Sequence, residues 1–127
     1  MNNGAKILII DDDKFITKVA QLLLAKSGFT VKSTLAWQEG MEVWMDWQPD
    51  LVLLDLMMPE RSGWDVLEEM RSKAGYVEVP VLIFTANEHP DTRAEALERG
   101  ARGIIPKPFD QADLIKSIEQ ALAASPH

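Results

Sequence analysis

Short aliphatic runs alternate along this chain with longer segments in which apolar residues recur every three or four positions. Four of the runs are nearly unbroken, and a weaker one has the composition of an edge strand; in chain order the five cover residues 7–10, 29–33, 51–54, 81–84 and 103–105. Unbroken aliphatic runs of this length are typical of parallel strands that are buried on both faces. The pattern therefore predicts five parallel strands.

The segments between and after these runs have helical spacing. Asp13 is a plausible N-cap for the first helix, which ends at Ser27-Gly28 because glycine suits the residue after a helix. Four further helices are predicted, at about 36–47, 63–72, from Pro90 to Gly100, and 110–124. The order βαβαβαβαβα with short connections predicts one doubly wound α/β domain over residues 1–127, with helices on both faces of the sheet.

Composition excludes several kinds of function. The chain has 20 acidic and 13 basic residues, a formal charge of −7, and no run of Lys or Arg that could follow a phosphate backbone, so no nucleic-acid partner is expected. It contains no cysteine, which excludes disulfides, thiolate metal sites and a cysteine nucleophile. The apolar stretch before Asp11 is far too short for a signal peptide or a membrane span. We expect a cytoplasmic protein with no membrane partner.

Polar residues with a distinct chemistry follow four of the predicted strands. They are Asp11, Asp12 and Asp13 after the first strand, Asp55 after the third, Thr85 and Ala86 after the fourth, and Lys107 and Pro108 after the fifth. In doubly wound sheets, ligands bind beyond the carboxyl ends of the strands. Each residue alone is most simply a turn residue, a helix cap or a solvated side chain. Their joint occurrence at four strand ends predicts a binding crevice.

The charges of these residues indicate what the crevice binds. Gathered together, Asp11, Asp12 and Asp55 would repel one another unless a cation were present. A set of oxygen ligands without His or Cys suits Mg²⁺, which is usually shared with phosphate oxygens. Lys107 and Thr85 could hold the oxygens of a phosphoryl group, and the carboxylate of Asp55 could attack phosphorus. We therefore predict a site for Mg²⁺ and a phosphoryl group.

At these residues the chain resembles the receiver domain of two-component response regulators, in particular the single-domain, chemotaxis-regulator-like kind. The segments that match are ILIIDDDKFI, PDLVLLDLMMPERSGWDVL, VLIFTA and GARGIIPKPFD, and the resemblance covers about residues 5–124. It implies a flavodoxin-like three-layer sandwich with strand order 2-1-3-4-5. It also implies a phosphorelay switch that is not a turnover enzyme and catalyses only its own phosphorylation and dephosphorylation.

The resemblance implies a role for each residue at the phosphorylation site. Asp55 is similar to the phosphoacceptor, which receives a phosphoryl group from a histidine of a sensor kinase or a histidine phosphotransfer protein. Asp11 and Asp12 are similar to the acidic pair that holds Mg²⁺ together with Asp55, and the backbone carbonyl of Met57 is a further implied ligand.

Other implied roles concern the switch. Thr85, with Ala86 beside it, and Lys107 are similar to the residues that contact the phosphoryl group, and the Lys107-Pro108 peptide bond is expected to be cis. Ile104 stands where the family commonly has an aromatic switch residue, so an aromatic switch is not expected here. Met57 and Asn87 occupy positions that are thought to influence the lifetime of the phosphoryl group.

Three functions are compatible with these residues. The first is a phosphorylation switch that contacts a downstream protein through its fourth helix, fifth strand and fifth helix. The second is an interaction module that acts without phosphorylation, although such receivers usually lack one of the acidic or lysine residues that are present here. The third is an aspartyl-phosphate phosphatase of the haloacid dehalogenase type; Met57 argues against it, because those enzymes have a second Asp at that position.

Overall fold

Five parallel strands form one sheet in the order β2-β1-β3-β4-β5. The structure is a computed structural model, and it describes residues 4–73, 79–86 and 89–124. The strands are β1 (Lys6–Ile10), β2 (Thr30–Thr34), β3 (Leu51–Asp55), β4 (Val81–Thr85) and β5 (Gly103–Pro106). The helices are α1 (Lys14–Lys26), α2 (Trp37–Trp47), α3 (Gly63–Ser72), α4 (Pro90–Glu98) and α5 (Gln111–Ala124). The predicted fold class and strand order are confirmed.

The helices cover both faces of the sheet, and each face has its own hydrophobic cluster. Along β1, Ile7 and Ile9 point to the cluster that includes α1 and α5, while Leu8 and Ile10 point to the cluster that includes α2, α3 and α4. Successive strand residues point to opposite faces, so a strand covered on both sides must be apolar throughout. This explains why β1, β3 and β4 are unbroken aliphatic runs.

The boundaries differ from the predicted ones by a residue or two. Strands β3 and β4 include Asp55 and Thr85 as their last residues, because the ladder continues to the pairs Asp55 with Phe84 and Thr85 with Pro106. Helix α1 begins where predicted, since the Asp13 carboxylate accepts hydrogen bonds from the backbone N–H groups of Phe15 and Ile16, both at 3.0 Å. The sheet itself therefore positions the side chains of Asp55 and Thr85.

The helices are short, and among the described residues none is long and apolar enough to cross a membrane.

Candidate functional site

Three carboxylates meet at the carboxyl ends of the adjacent strands β1 and β3. Asp11 follows β1 and Asp55 ends β3, and these strands are adjacent and parallel, with Ile10 opposite Leu54. Oxygen atoms of Asp11, Asp12 and Asp55 lie within 4.8 Å of one another. Asp11 is completely buried and Asp55 is 5% exposed, whereas Asp12 is exposed to solvent. The strand order thus places two buried acids beside an accessible one.

The three consecutive aspartates after β1 have different roles. The Oδ1 atom of Asp11 accepts a hydrogen bond from the backbone N–H of Asp13 at 2.9 Å, which fixes the orientation of the Asp11 carboxylate. The hydroxyl of Thr17 donates to the backbone carbonyl of Asp11 at 3.3 Å and ties this turn to α1. Asp13 caps α1. Only Asp11 and Asp12 contribute carboxylates to the cluster.

Lys107 is the cation of this cluster among the described residues. Its Nζ atom lies 2.7 Å from Oδ2 of Asp11 and 3.4 Å from Oδ1 of Asp55. The Lys107-Pro108 peptide bond is cis. The backbone N–H of Lys107 donates to the carbonyl of Thr85 at 2.9 Å, so β5 leads the lysine directly to the end of β4. One ammonium group therefore contacts two carboxylates of a cluster that contains three.

Burial and the surplus of carboxylates shift the pKa values of Asp55 and Lys107. Burial, followed by repulsion from Asp11, raises the pKa of Asp55 from 3.8 to about 7, although Lys107 acts in the opposite direction. Burial alone would lower the pKa of Lys107, but the carboxylates of Asp11 and Asp55 outweigh it and raise that pKa above 10.5. Within the described residues, the buried Oδ2 of Asp11 accepts no well-aligned hydrogen bond, so its contact with Lys107 is an ion pair. The negative charge of the cluster therefore favours the binding of a second cation.

The oxygen-only donor set fits a hard divalent ion. Carboxylates are the ligands that Mg²⁺ prefers, and an exposed residue such as Asp12 leaves the ion accessible to water and to phosphate oxygens. A second cation would also favour the ionised form of Asp55, whose pKa is raised in its absence. The chemistry of the residues present is therefore compatible with the expected Mg²⁺.

The loop after β3, residues 56–62, is closed tightly beside the cluster. Met57 pairs with Ser62 in an isolated antiparallel bridge, and the backbone N–H of Met57 donates to Oδ1 of Asp55 at 3.3 Å. The N–H of Gly63 donates to the carbonyl of Leu56 at 2.7 Å. A Cβ atom at Gly63 would lie 2.4 Å from the carbonyl oxygen of Asp55, so a side chain cannot be accommodated there. Sequence reasoning treated Gly63 only as a helix start and missed this close approach.

A second feature that sequence reasoning missed is the anchor of this loop. The guanidinium group of Arg61 lies over the ring of Trp37 at 4.5 Å and forms an ion pair with Glu69 at 2.5 Å. Trp37 begins α2 and Glu69 lies in α3. These residues are far apart in the chain and have no characteristic spacing, so no signal in a single sequence would have paired them.

The remaining predicted switch residues lie on β4 and β5 or directly after β4. Thr85 is buried at the end of β4, and Ala86 after it is exposed. Ile104 is half-buried and packs against the cluster that includes α2, α3 and α4. Asn87 lies outside the described residues.

Comparison with known proteins identifies the family. The family model described as a response regulator receiver domain matches residues 7–119. The transcriptional regulatory protein DltR of Streptococcus agalactiae is 36% identical over 113 residues, which are 89% of this chain and 50% of that protein. The chain thus spans about half the length of the curated relatives it matches.

Solved structures agree with this match. The chemotaxis protein CheY4 of Vibrio cholerae has a TM-score of 0.86 at 26% identity, covering 92% of this chain and 98% of that one. A CheY-like response regulator receiver domain protein of Methanospirillum hungatei has a TM-score of 0.81 at 26% identity, covering 93% of each chain. The motifs, the strand order and these matches together show that the chain belongs to the response regulator receiver domain family of two-component systems.

Proposed function

We propose that this receiver domain is switched by phosphorylation of Asp55. The observation that carries the proposal is the position of this carboxylate, almost buried at the end of the central strand and between two other acids and the ammonium group of Lys107. An aspartate oxygen attacks the phosphorus atom of a phosphohistidine on a partner protein. The new P–O bond forms as the P–N bond breaks, and the imidazole leaves with the electron pair and takes up a proton.

Mg²⁺ is the cofactor that we propose for this transfer. Asp11, Asp12 and Asp55 would hold the ion through their carboxylates, and Met57 through its backbone carbonyl. When bound, Mg²⁺ supplies positive charge that neutralises the carboxylates and the oxygens of the incoming phosphoryl group. The support lies in the oxygen-only donor set and in the charge imbalance around Lys107.

Residues of the chain orient the phosphoryl group. Lys107 already contacts Asp55, so its ammonium can move onto a phosphoryl oxygen without a large displacement. The Thr85 hydroxyl and the backbone at Ala86 stand at the end of the neighbouring strand and are assigned to the other phosphoryl oxygens. Because Ile104 has no hydroxyl or ring, movement of the backbone around Thr85 carries the signal to α4.

The proposed partners follow from this chemistry. A sensor histidine kinase or a histidine phosphotransfer protein donates the phosphoryl group, and a downstream protein reads the face formed by α4, β5 and α5. Leu97, an apolar residue of α4, is 53% exposed and is available to such a partner. The domain acts as a regulator and not as a phosphatase with an external substrate, since Met57 offers no carboxylate for a second acid and base. We place the domain in the cytoplasm.

The test is labelling with acetyl phosphate. The wild type is expected to gain one phosphoryl group in the presence of Mg²⁺, as measured by intact-protein mass spectrometry, and to gain none with a chelator. Asp55→Asn is expected to abolish the gain, whereas Asp46→Asn, an exposed acid in α2, serves as the matched control and retains it. Undiminished labelling of Asp55→Asn would exclude Asp55 as the acceptor. A partner that binds labelled and unlabelled protein equally would favour the phosphorylation-independent module.

A further inference from the structure

The loop of residues 56–62 has to meet two structural requirements. It carries the backbone of Met57 beside Asp55, and it must turn back within a few residues so that Gly63 can pack on the backbone of Asp55 and Leu56. Glu60 has a positive φ of 72°, which a residue with a side chain adopts at some cost. A tight turn of this kind keeps its geometry only if contacts outside the turn hold it.

Arg61, which directly precedes Ser62 of the Met57–Ser62 bridge, supplies those contacts. Its guanidinium group reaches Glu69 at 2.5 Å and the carbonyl of Asp65 at 3.4 Å, both in α3. On its other side it covers the ring of Trp37, with 4.5 Å between the guanidinium carbon and the ring centroid. A planar guanidinium can form hydrogen bonds in its plane and stack at the same time, which a lysine cannot do.

The partner ring is itself held by packing. The indole Nε1 of Trp37 is buried and has no hydrogen-bond partner within the described residues, so no polar contact fixes the ring. Trp37 packs against the hydrophobic cluster on one side and meets Arg61 on the other. A neighbouring contact repeats this link, because the amide of Gln38 donates to the carboxylate of Glu60 at 3.4 Å. The start of α2 is thus joined to the loop at two successive residues, Glu60 and Arg61.

We propose that Arg61 is a positioning residue that sets the affinity of the crevice for its divalent ion. It holds the loop between Trp37 and α3, and so fixes where the backbone of Met57 stands relative to Asp55. It touches neither the ion nor the phosphoryl group. The inference rests on the proposed Mg²⁺ site, in which Met57 contributes its backbone carbonyl.

The first measurement is the binding of Mg²⁺ to the metal-free protein by isothermal titration calorimetry. Removal of a group that orients metal ligands typically weakens metal binding by about 10-fold or more, and a loss of that size is expected for Arg61→Ala. Arg61→Lys keeps the charge and loses the planar fork, so its Mg²⁺ affinity should lie between those of the wild type and Arg61→Ala. With saturating Mg²⁺ the labelling rate of Arg61→Ala should return to that of the wild type, because the acceptor and Lys107 are unchanged.

Arg99→Ala is the matched control. Arg99 also covers a tryptophan ring, that of Trp64 at 5.2 Å, and also pairs with a glutamate, Glu95 at 2.8 Å. Within the described part of the chain, the side chain of Arg99 contacts Glu95 and Trp64 and not the loop of residues 56–62. Its removal should therefore leave Mg²⁺ affinity unchanged. Equal weakening by both substitutions would overturn the proposal, since any lost arginine on a tryptophan would then have the same effect.

A second readout needs no metal. Amide hydrogen exchange of the metal-free protein should show faster exchange at Gly63, whose N–H donates to Leu56 across the loop, in Arg61→Ala than in the wild type. Should Arg61→Ala fail to fold, Glu69→Gln removes the charge that pairs with Arg61, and with Lys73 at 3.9 Å, and should weaken Mg²⁺ binding to a smaller extent. Wild-type affinity and wild-type exchange in a folded variant would overturn the proposal, whatever its thermal stability.

The outcomes separate this inference from the function on which it rests. Asp12→Asn, at the accessible acid of the cluster, should abolish Mg²⁺ binding. If it does and Arg61→Ala binds like the wild type, only the role of Arg61 is refuted. If the wild type binds no Mg²⁺, or if Asp12→Asn binds it unchanged, the metal site itself is refuted.

Discussion

The two ends of the sheet differ in how completely their charged groups are paired. At the amino end, the backbone N–H of Lys6 donates to the carboxylate of Asp50 at 2.8 Å, and its ammonium donates to the carbonyl of Trp47 at 3.0 Å. The ammonium groups of Lys6 and Lys32 also lie 5.6 and 4.8 Å from the centre of the Trp47 ring. The charged groups of Lys6 and Asp50 are thus matched by groups of the chain itself.

At the carboxyl end of the sheet, the cluster has more carboxylates than ammonium groups. Asp11 and Asp55 share the ammonium of Lys107, with Asp12 as a third carboxylate beside them, and the pKa of Asp55 is raised to about 7 as a result of burial and of its acidic neighbour. Ionisable groups that are perturbed by burial together with a specific neighbour tend to mark functional sites. Charge by itself therefore does not locate the site, whereas charge that the chain leaves unbalanced does.

Removal of Lys107 should have the largest effect on the metal-free protein. Lys107→Met leaves the carboxylates of Asp11 and Asp55 buried without their cation, and we expect the free energy of unfolding to fall by about 3 kcal/mol. The pKa of Lys107 is raised above 10.5, so its contribution is complete below that pH and is lost only at higher pH. Urea unfolding with a chelator at about pH 8 measures the loss. Unchanged stability would mean that the carboxylates need no cation.

Mg²⁺ should stabilise the protein because it offsets the surplus negative charge at the carboxyl end of the sheet, and the amino end should not contribute to this effect. An ion that binds only the folded state, present at 100 times its dissociation constant, raises the free energy of unfolding by about 2.7 kcal/mol. Asp12→Asn should lose this rise, whereas Asp50→Asn at the amino end should keep it in full. Urea unfolding with and without Mg²⁺ measures both. A rise that survives in Asp12→Asn would show that the ion binds elsewhere.

Neutralising an acid should have opposite signs at the two ends. The raised pKa of Asp55 means that its protonated form contributes stability that is complete below 3.8 and is lost as the pH rises through about 7. Above that pH, Asp55→Asn should stabilise the metal-free protein, because the neutral amide removes the charge that burial and Asp11 disfavour. Asp50→Asn should instead destabilise it by about 1 kcal/mol, because the charged acceptor of the Lys6 N–H is lost.

The pH dependence gives a check on this sign. Between about pH 5 and pH 8, the metal-free wild type should lose stability relative to Asp55→Asn as the pH rises, as measured by urea unfolding at several pH values. A difference between the two proteins that does not change with pH would indicate that Asp55 is ionised throughout this range.

Much of this arrangement could be predicted from the sequence. Parallel strands all present their carboxyl ends at one edge, so Asp11, Asp55 and Lys107 could be brought together from the aliphatic runs that precede them. The strand order required the family resemblance, because the runs define the strands but not their neighbours. The inclusion of Asp55 and Thr85 in their strands was missed, since the apolar pattern ends before the hydrogen-bonded ladder does.

The surroundings of the site could not be predicted in the same way. The contact of Arg61 with Trp37 depends on how α2 and α3 pack against each other, and a single sequence does not record the distance between two helices. The requirement for glycine at position 63 depends on the approach of α3 to the backbone of β3. Periodicity and spacing identify groups on one element, whereas these contacts join different elements through their packing.

The smallest expected effect comes from removing a cation at the balanced end. Lys6→Met keeps the aliphatic part of the side chain and loses the hydrogen bond to the Trp47 carbonyl and the cation over its ring, so we expect a loss of about 1 kcal/mol. Its Mg²⁺ affinity, measured by calorimetry, should equal that of the wild type. Because Lys107→Met removes the same charge at the other end, the two variants form a matched pair. Equal losses of stability would contradict the difference between the two ends, and only a larger loss at Lys107 is compatible with unbalanced charge at the carboxyl end.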